Sequence, residues 1–211
     1  MRRRVLALLL LIAGLLLAPM AALAAPPVEG RDYVLIEDGQ SWEPQSGGIE
    51  VAEVFAYACH HCASFQPMLD AWKRKQSKDV RLSYVPLPYG RDDVFARGFF
   101  ATQTARTFDR VHAGLFRAVH EAQALPRNPS IDELAAWYGA QGLDATQVRA
   151  AMADPALAER LAAAHQFAVR SGVEGTPTLI VDGRYRILGG SMEELLRNAD
   201  AVIAQVRASR R

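Results

Sequence analysis

The sequence predicts an α/β fold, a mixed sheet flanked by helices with a helical insertion in the middle. Three observations carry this. A β–β–α–β pattern opens the chain beyond residue 30. Residues 92–171 are then almost wholly helical in pattern and rich in alanine. Finally "TLIVDGRYRIL" sets Asp-Gly between two apolar β-forming runs, a strong hairpin signal because both central residues of the turn need positive φ.

The chain begins with "MRRR", an uncharged apolar run over residues 5–18, and "ALA" at 22–24. A basic start, a short apolar stretch and small residues before the cut are the marks of a cleavable signal peptide, residues 1–24. A retained membrane anchor is the competing reading, but the run is shorter than the about 20 residues a bilayer needs. Export takes away three arginines and no acid, so +1 less 3 leaves a formal charge of −2. A near-neutral chain lacks the basic footprint of a nucleic-acid binder and the polybasic stripe that holds anionic membranes. The remaining length buries an ample core without disulfides.

"APPVEGRDY" is a loose lead-in, "YVLIED" a short strand, and "SWEPQSGG" a turn. "IEVAEVFAYA" is a strand, apolar enough to be buried on both faces. It delivers the chain to "CHHC". Beyond it, Phe65, Met68, Leu69 and Trp72 recur at the three-and-four spacing of a helix face. "KRKQSKD" closes that helix with bases at its negative end, and Pro67 inside it is expected to kink it. "VRLSYVPLP" is the next strand, ended by prolines. Stops at Asp109, "LPRNPS", "QGLD" and Asp154–Pro155 divide the following block into four or five short helices. Ser130 with Glu133 forms a capping box. After the hairpin, Ser191 caps a last helix with Leu195, Ala199, Val202 and Val206 on its apolar face. The organisation is thus a leader, 1–24, a sheet domain from 25–90 and 172–211, and a helical insertion, 91–171.

Cys59 and Cys62 are the chain's two cysteines. An exported compartment lets them form a disulfide. A bridge closing so short a loop constrains the unfolded chain little, so its role is chemistry rather than stability. Cysteine attacks as the thiolate, and activation needs positive potential. Cys59 stands where a helix starts, and the helix end favours an anion by at most about 2 kcal/mol. That lowers a thiol by roughly one and a half pH units. A larger fall needs further donors, and His60 and His61 are the candidates. Cys59 is therefore read as the nucleophile and Cys62, one turn on and more buried, as the resolving thiol. A stabilised thiolate stabilises the reduced form and makes the disulfide more oxidising. The metal reading has half a zinc site in C-x-x-C, but no second ligand pair: His112, His120 and His165 occur singly and read as ordinary histidines. Haem attachment needs His after the second cysteine, and Ala63 is there.

"EVFAYACHHC", Pro67 and "GVEGTPTLIVDG" together resemble the thioredoxin superfamily. The helical block narrows the resemblance to the DsbA family of periplasmic thiol–disulfide oxidoreductases, over residues 50–208. The resemblance implies a thioredoxin-like sheet and a dithiol oxidase that donates a Cys59–Cys62 disulfide to exported, folding polypeptides with free thiols. It implies reoxidation by a DsbB-like membrane quinone reductase, no cofactor or metal beyond the redox disulfide, a monomer, and the periplasm of a Gram-negative bacterium. Pro177 matches the family's cis-proline, which with Thr176 before it binds the substrate chain. From residues alone it is a strand-entry proline. His61 matches the histidine that stabilises the thiolate. Glu53 matches a buried acid that assists proton transfer, although an outward-facing strand position is equally open. His60, where proline is common, and Thr176, where valine is common, depart from the pattern at positions that tune redox potential. The alternatives are a disulfide isomerase or reductase of the same fold, or a Cys/His metal-binding module. An isomerase of this kind carries an N-terminal dimerisation domain, for which about 25 residues ahead of the strand leave no room. Phe95, Phe99 and Phe100 lie near enough in pattern to line the groove, but their helical spacing reads as core.

Overall fold

The computed structural model describes residues 25–44 and 47–210. The expected signal peptide lies outside them. Among the described residues no helix is long and apolar enough to cross a membrane. The chain runs β1 (Tyr33–Leu35), β2 (Ile49–Phe55), α1 (His60–Lys73) and β3 (Val80–Pro86). Five helices follow: α2 (Val94–Thr104), α3 (Phe108–His120), α4 (Ile131–Ala140), α5 (Ala145–Ala153) and α6 (Leu157–Arg170). It closes with β4 (Thr178–Val181), β5 (Tyr185–Ile187) and α7 (Met192–Ser209).

The strands form a five-stranded sheet in the order β1-β5-β4-β2-β3. β2 and β3 are parallel, from Ile49↔Val80 to Phe55↔Pro86, and the other pairings are antiparallel. β2 lies inside the sheet and every one of its residues is buried. That explains its lack of polar alternation, and it makes its two acids conspicuous. Glu50 is satisfied: it accepts the Trp42 N–H at 2.7 Å, the Glu43 N–H at 2.9 Å and the Ser83 hydroxyl at 2.8 Å. Those bonds tie the lead-in segment to β2 and β3.

The helices follow the expected code with one displaced boundary. The capping box forms, with the Ser130 N–H 2.7 Å from Glu133 Oε2 and the Glu133 N–H 3.2 Å from Ser130 Oγ. The break expected at Asp109 falls earlier, between α2 and α3. Arg106 takes φ 57° there, and the Thr107 hydroxyl bonds the Thr102 carbonyl at 3.3 Å. Asp109 instead sits in the first turn of α3, where its charge suits the positive helix end. α1 continues through Pro67 and buries Cys62, Phe65, Gln66, Leu69 and Trp72. Its Trp72 indole N–H reaches Asp200 of α7 at 2.8 Å. Phe99 and Phe100 are core residues, whereas Phe95 also faces a small cavity shared with Tyr57 and Tyr89.

The β4–β5 hairpin turns through Asp182 and Gly183, at φ 55° and 67°, closed by the Arg184 N–H on the Val181 carbonyl at 3.0 Å. A Cβ on Gly183 would stand 2.2 Å from backbone atoms of Gln40 and Ser41, so both conformation and space require glycine. Gly183→Ala is expected to cost about 2 kcal/mol or more. The check is urea unfolding, where the midpoint falls with the slope unchanged.

Candidate redox site

The site is built where β2 hands the chain to α1. A turn over residues 56–59 is closed by the Cys59 N–H on the Ala56 carbonyl at 3.1 Å. Cys59 is the N-cap of α1, with extended φ −82° and ψ 119°, and its carbonyl accepts from the Ala63 N–H at 3.2 Å. Its sulfur therefore stands at the end of the helix where free peptide N–H groups and the dipole favour an anion. Cys62, one turn on, is fully buried, while Cys59 is half-buried, and both are free thiols.

The two sulfurs are driven apart in acidity. A hydrogen bond from the Cys62 thiol is the main reason that the Cys59 thiol is lowered to about 4. Partial burial opposes this, and the Thr176 side chain and the peptide N–H groups of Cys62 and His61 add to it. The same bond, then burial and the nearby Glu53 carboxylate, push Cys62 far above the ordinary thiol range. The pair thus holds one proton, on the buried sulfur, and one negative charge, on the accessible one. When Cys59 is protonated, its S–H donates to the Thr176 carbonyl at 3.3 Å.

Thr176, distant in sequence, arrives through the turn before β4, and the Thr176–Pro177 peptide bond is cis. These two residues line a groove with His61, Gly189, Met192 and Leu195. His60 and His61 are both exposed, with their rings 3.8 Å apart. His61 reaches Cys59 through its peptide N–H, and the residue lines the groove.

Glu53 is wholly buried, because β2 is covered on both faces. Neither of its carboxyl oxygens has a hydrogen-bond partner among the described residues. Burial first, then the charges of Asp70 and Cys59, raise it to about 8.

The structure also brings in residues that the sequence did not single out for the site. Tyr89 is 70% exposed, yet its phenol feels the thiols: partial burial, then Cys59 and Cys62, raise it. "PLPYG" carries no signal beyond a turn. Asp70, two turns along α1 from Cys62, sits close enough to Glu53 to act on it. His112 is buried behind the turn, and burial with the charge of Lys73 lowers it to about 3. His165 is exposed on α6. Among the described residues no three His, Cys, Asp or Glu side chains group as metal ligands.

The model of the DSBA-like thioredoxin domain matches residues 93–199. Thiol:disulfide interchange protein DsbA of Pseudomonas aeruginosa is 30% identical over 213 residues, spanning 99% of this chain and 99% of that protein. The DsbA of Pseudomonas syringae pv. tomato is 31% identical over 195 residues, 90% of each chain. In solved structures, DsbA from Xylella fastidiosa is similar at TM-score 0.83 and 39% identity, over 87% of this chain and 100% of that one. Pseudomonas aeruginosa DsbA follows the same fold at TM-score 0.76 and 29% identity, over 85% of this chain and 94% of that one. A 30% identity that spans 99% of this chain and of its relative, with the family model over the helical block and the last strands, places this protein in the DsbA family of thioredoxin-fold thiol:disulfide oxidoreductases.

Proposed function

We propose that this chain is exported to the periplasm of a Gram-negative bacterium and works there as a monomeric dithiol oxidase. It passes a Cys59–Cys62 disulfide to newly exported polypeptides that carry free thiols. The observation that carries the reading is the division of charge between the two sulfurs. A thiolate held stable at Cys59 stabilises the reduced product, so electrons flow from substrate to protein.

A substrate thiolate attacks the Cys59 sulfur, the accessible one, and the Cys59–Cys62 bond breaks. Cys62 leaves and takes a proton, for which Glu53 is the neighbouring donor. A second substrate thiolate then attacks the substrate sulfur of the mixed disulfide, forming the substrate disulfide and releasing the Cys59 thiolate. The substrate loses two electrons and the protein gains them. Reoxidation by a DsbB-like membrane quinone reductase runs through a mixed disulfide on Cys59. Here Cys62 is the resolving thiol: it gives its proton to Glu53, attacks Cys59 and frees the partner. An acid at about 8 suits both directions of that transfer, because it is near the working pH. His61 steadies the thiolate, His60 tunes its energy from the surface, and Thr176 and Pro177 seat the extended substrate chain beside Cys59.

Two measurements test this reading. Cys59→Ser is expected to abolish oxidation of a reduced peptide, and glutathione is expected to reduce the parent disulfide readily. A disulfide that resists glutathione overturns the oxidase direction.

The thiol also makes stability depend on pH. Cys59 titrates near 4 when folded against an ordinary 9.0. Its depressed value adds stability to the reduced form that is complete above about pH 9 and lost as pH falls through 4. The stability of reduced over oxidised protein is expected to climb across that window in denaturant titrations.

Glu53 has the opposite sign. Its folded value near 8 lies above the ordinary 4.5, so its favourable contribution is lost as pH rises through that interval. Glu53→Leu is expected to flatten this fall and to gain up to about 5 kcal/mol over the parent at alkaline pH. The same variant is expected to slow resolution of a mixed disulfide in stopped-flow exchange.

A further inference from the structure

Behind the redox turn, α3 presents His112, Phe116 and His120 on one face, four residues apart. Both histidines reach Tyr57, two residues ahead of Cys59. The Tyr57 hydroxyl lies 2.7 Å from His112 Nδ1, and His120 Nε2 lies 2.7 Å from the Tyr57 carbonyl. On its other side His112 Nε2 meets Gln66 Oε1 at 2.9 Å. Gln66 belongs to α1, seven residues beyond Cys59. One ring of the helical block therefore touches the chain before and after the attacking sulfur.

The direction of each bond follows from the partners. Asp70 Oδ1 accepts, so the Gln66 amide turns its NH₂ group to it at 3.0 Å. Gln66 Oε1 is then left to accept from the Nε2–H of His112, and Nδ1 accepts from the Tyr57 hydroxyl. Both nitrogens of a neutral imidazole are satisfied. Aromatic rings hold it in place: Phe108 at 4.4 Å, Tyr84 at 4.6 Å and Phe55 at 5.2 Å between centroids. His120 grips the same tyrosine by its backbone. A side chain that only filled space would need none of these bonds, and fully satisfied buried networks specify a single geometry.

We propose that His112 and His120 are positioning residues for thiol exchange, bracketing Tyr57 and Gln66 from α3 so that the Cys59 sulfur stays at the helix end. Tyr57 and Ala58 are the central residues of the turn that carries Cys59. If Tyr57 is released, the turn shifts against the first turn of α1. The bonds to the sulfur from the Cys62 thiol and the peptide N–H groups then lose distance and alignment, on which they depend steeply. The inference rests on the thiol pair of the site and not on the direction of electron flow, so the oxidase reading can fail separately.

The test is an ultraviolet titration of the Cys59 thiolate in the reduced protein, with a glutathione equilibrium alongside. Tyr57→Phe, His112→Phe and His120→Ala are each expected to raise the thiolate midpoint by about one pH unit. Each should shift the glutathione equilibrium about tenfold toward the disulfide, roughly 30 mV. His120→Gln keeps a donor for the Tyr57 carbonyl and is expected to restore the parent midpoint. Leu115→Ala, a core truncation on the same helix, is expected to lower stability and leave the titration unchanged. Should His112→Phe fail to fold, Tyr57→Phe and His120→Ala carry the test. Folded variants that titrate with the parent overturn the proposal, as does a Leu115→Ala shift of the same size.

Discussion

The turn between β2 and α1 decides where one sulfur stands relative to one helix end, and the chemistry follows from that placement. β2 is buried along its whole length, so its direction is set by the sheet on either side and cannot relax toward solvent. The Cys59 N–H closes the turn on the Ala56 carbonyl, and the next residues are already helical. The first cysteine is thus a helix cap, half-exposed, and the second is carried one turn inward to full burial. Position alone divides the pair into an accessible anion and a hidden proton donor.

Magnitudes show which interactions matter most at Cys59. A helix end is worth about one and a half pH units to a thiol. The fall from 9.0 to about 4 is greater, so most of it comes from specific donors, the Cys62 thiol first. This makes Cys62 the principal stabiliser of the Cys59 thiolate in the reduced state. The arrangement is self-limiting: once the disulfide forms, the bond that held the thiolate is gone, and the oxidised pair has no equivalent stabilisation. That difference between the redox states is what favours reduction.

Two acids on the same strand illustrate how stability and function part company. Glu50 and Glu53 are both buried in β2. Glu50 takes hydrogen bonds from the lead-in segment and from β3, and it holds those parts together. Glu53 has no such partner among the described residues, and the protein bears the cost of a carboxyl kept away from water. An unsatisfied buried group beside a reactive pair is the kind of local conflict that a functional site retains. The helical block adds support from behind, where its aromatic box and two histidines meet the turn.

Much of this was legible in the sequence, because local rules govern it. Helix periodicity, the Ser130–Glu133 capping box, the Asp182–Gly183 turn and the Cys59–Cys62 pair at a strand-to-helix junction all act over a few residues. The α2–α3 boundary is hidden for the same reason: Asp109 suits a helix start as well as a stop, and the left-handed Arg106 leaves no compositional mark. Resemblance, not spacing, pointed to Glu53 and Pro177. Burial of a strand on both faces depends on what packs over it, which no alternation pattern records. The meeting of Cys59 with Thr176 joins residues 117 apart, and that of Tyr57 with His112 joins residues 55 apart. Local order along the chain set the elements and the reactive pair, through propensities and caps that need only near neighbours. The tertiary structure alone decided which carboxyl is stranded, which carbonyl faces the sulfur and which histidines hold the turn, because those are properties of contacts between segments that only packing brings together.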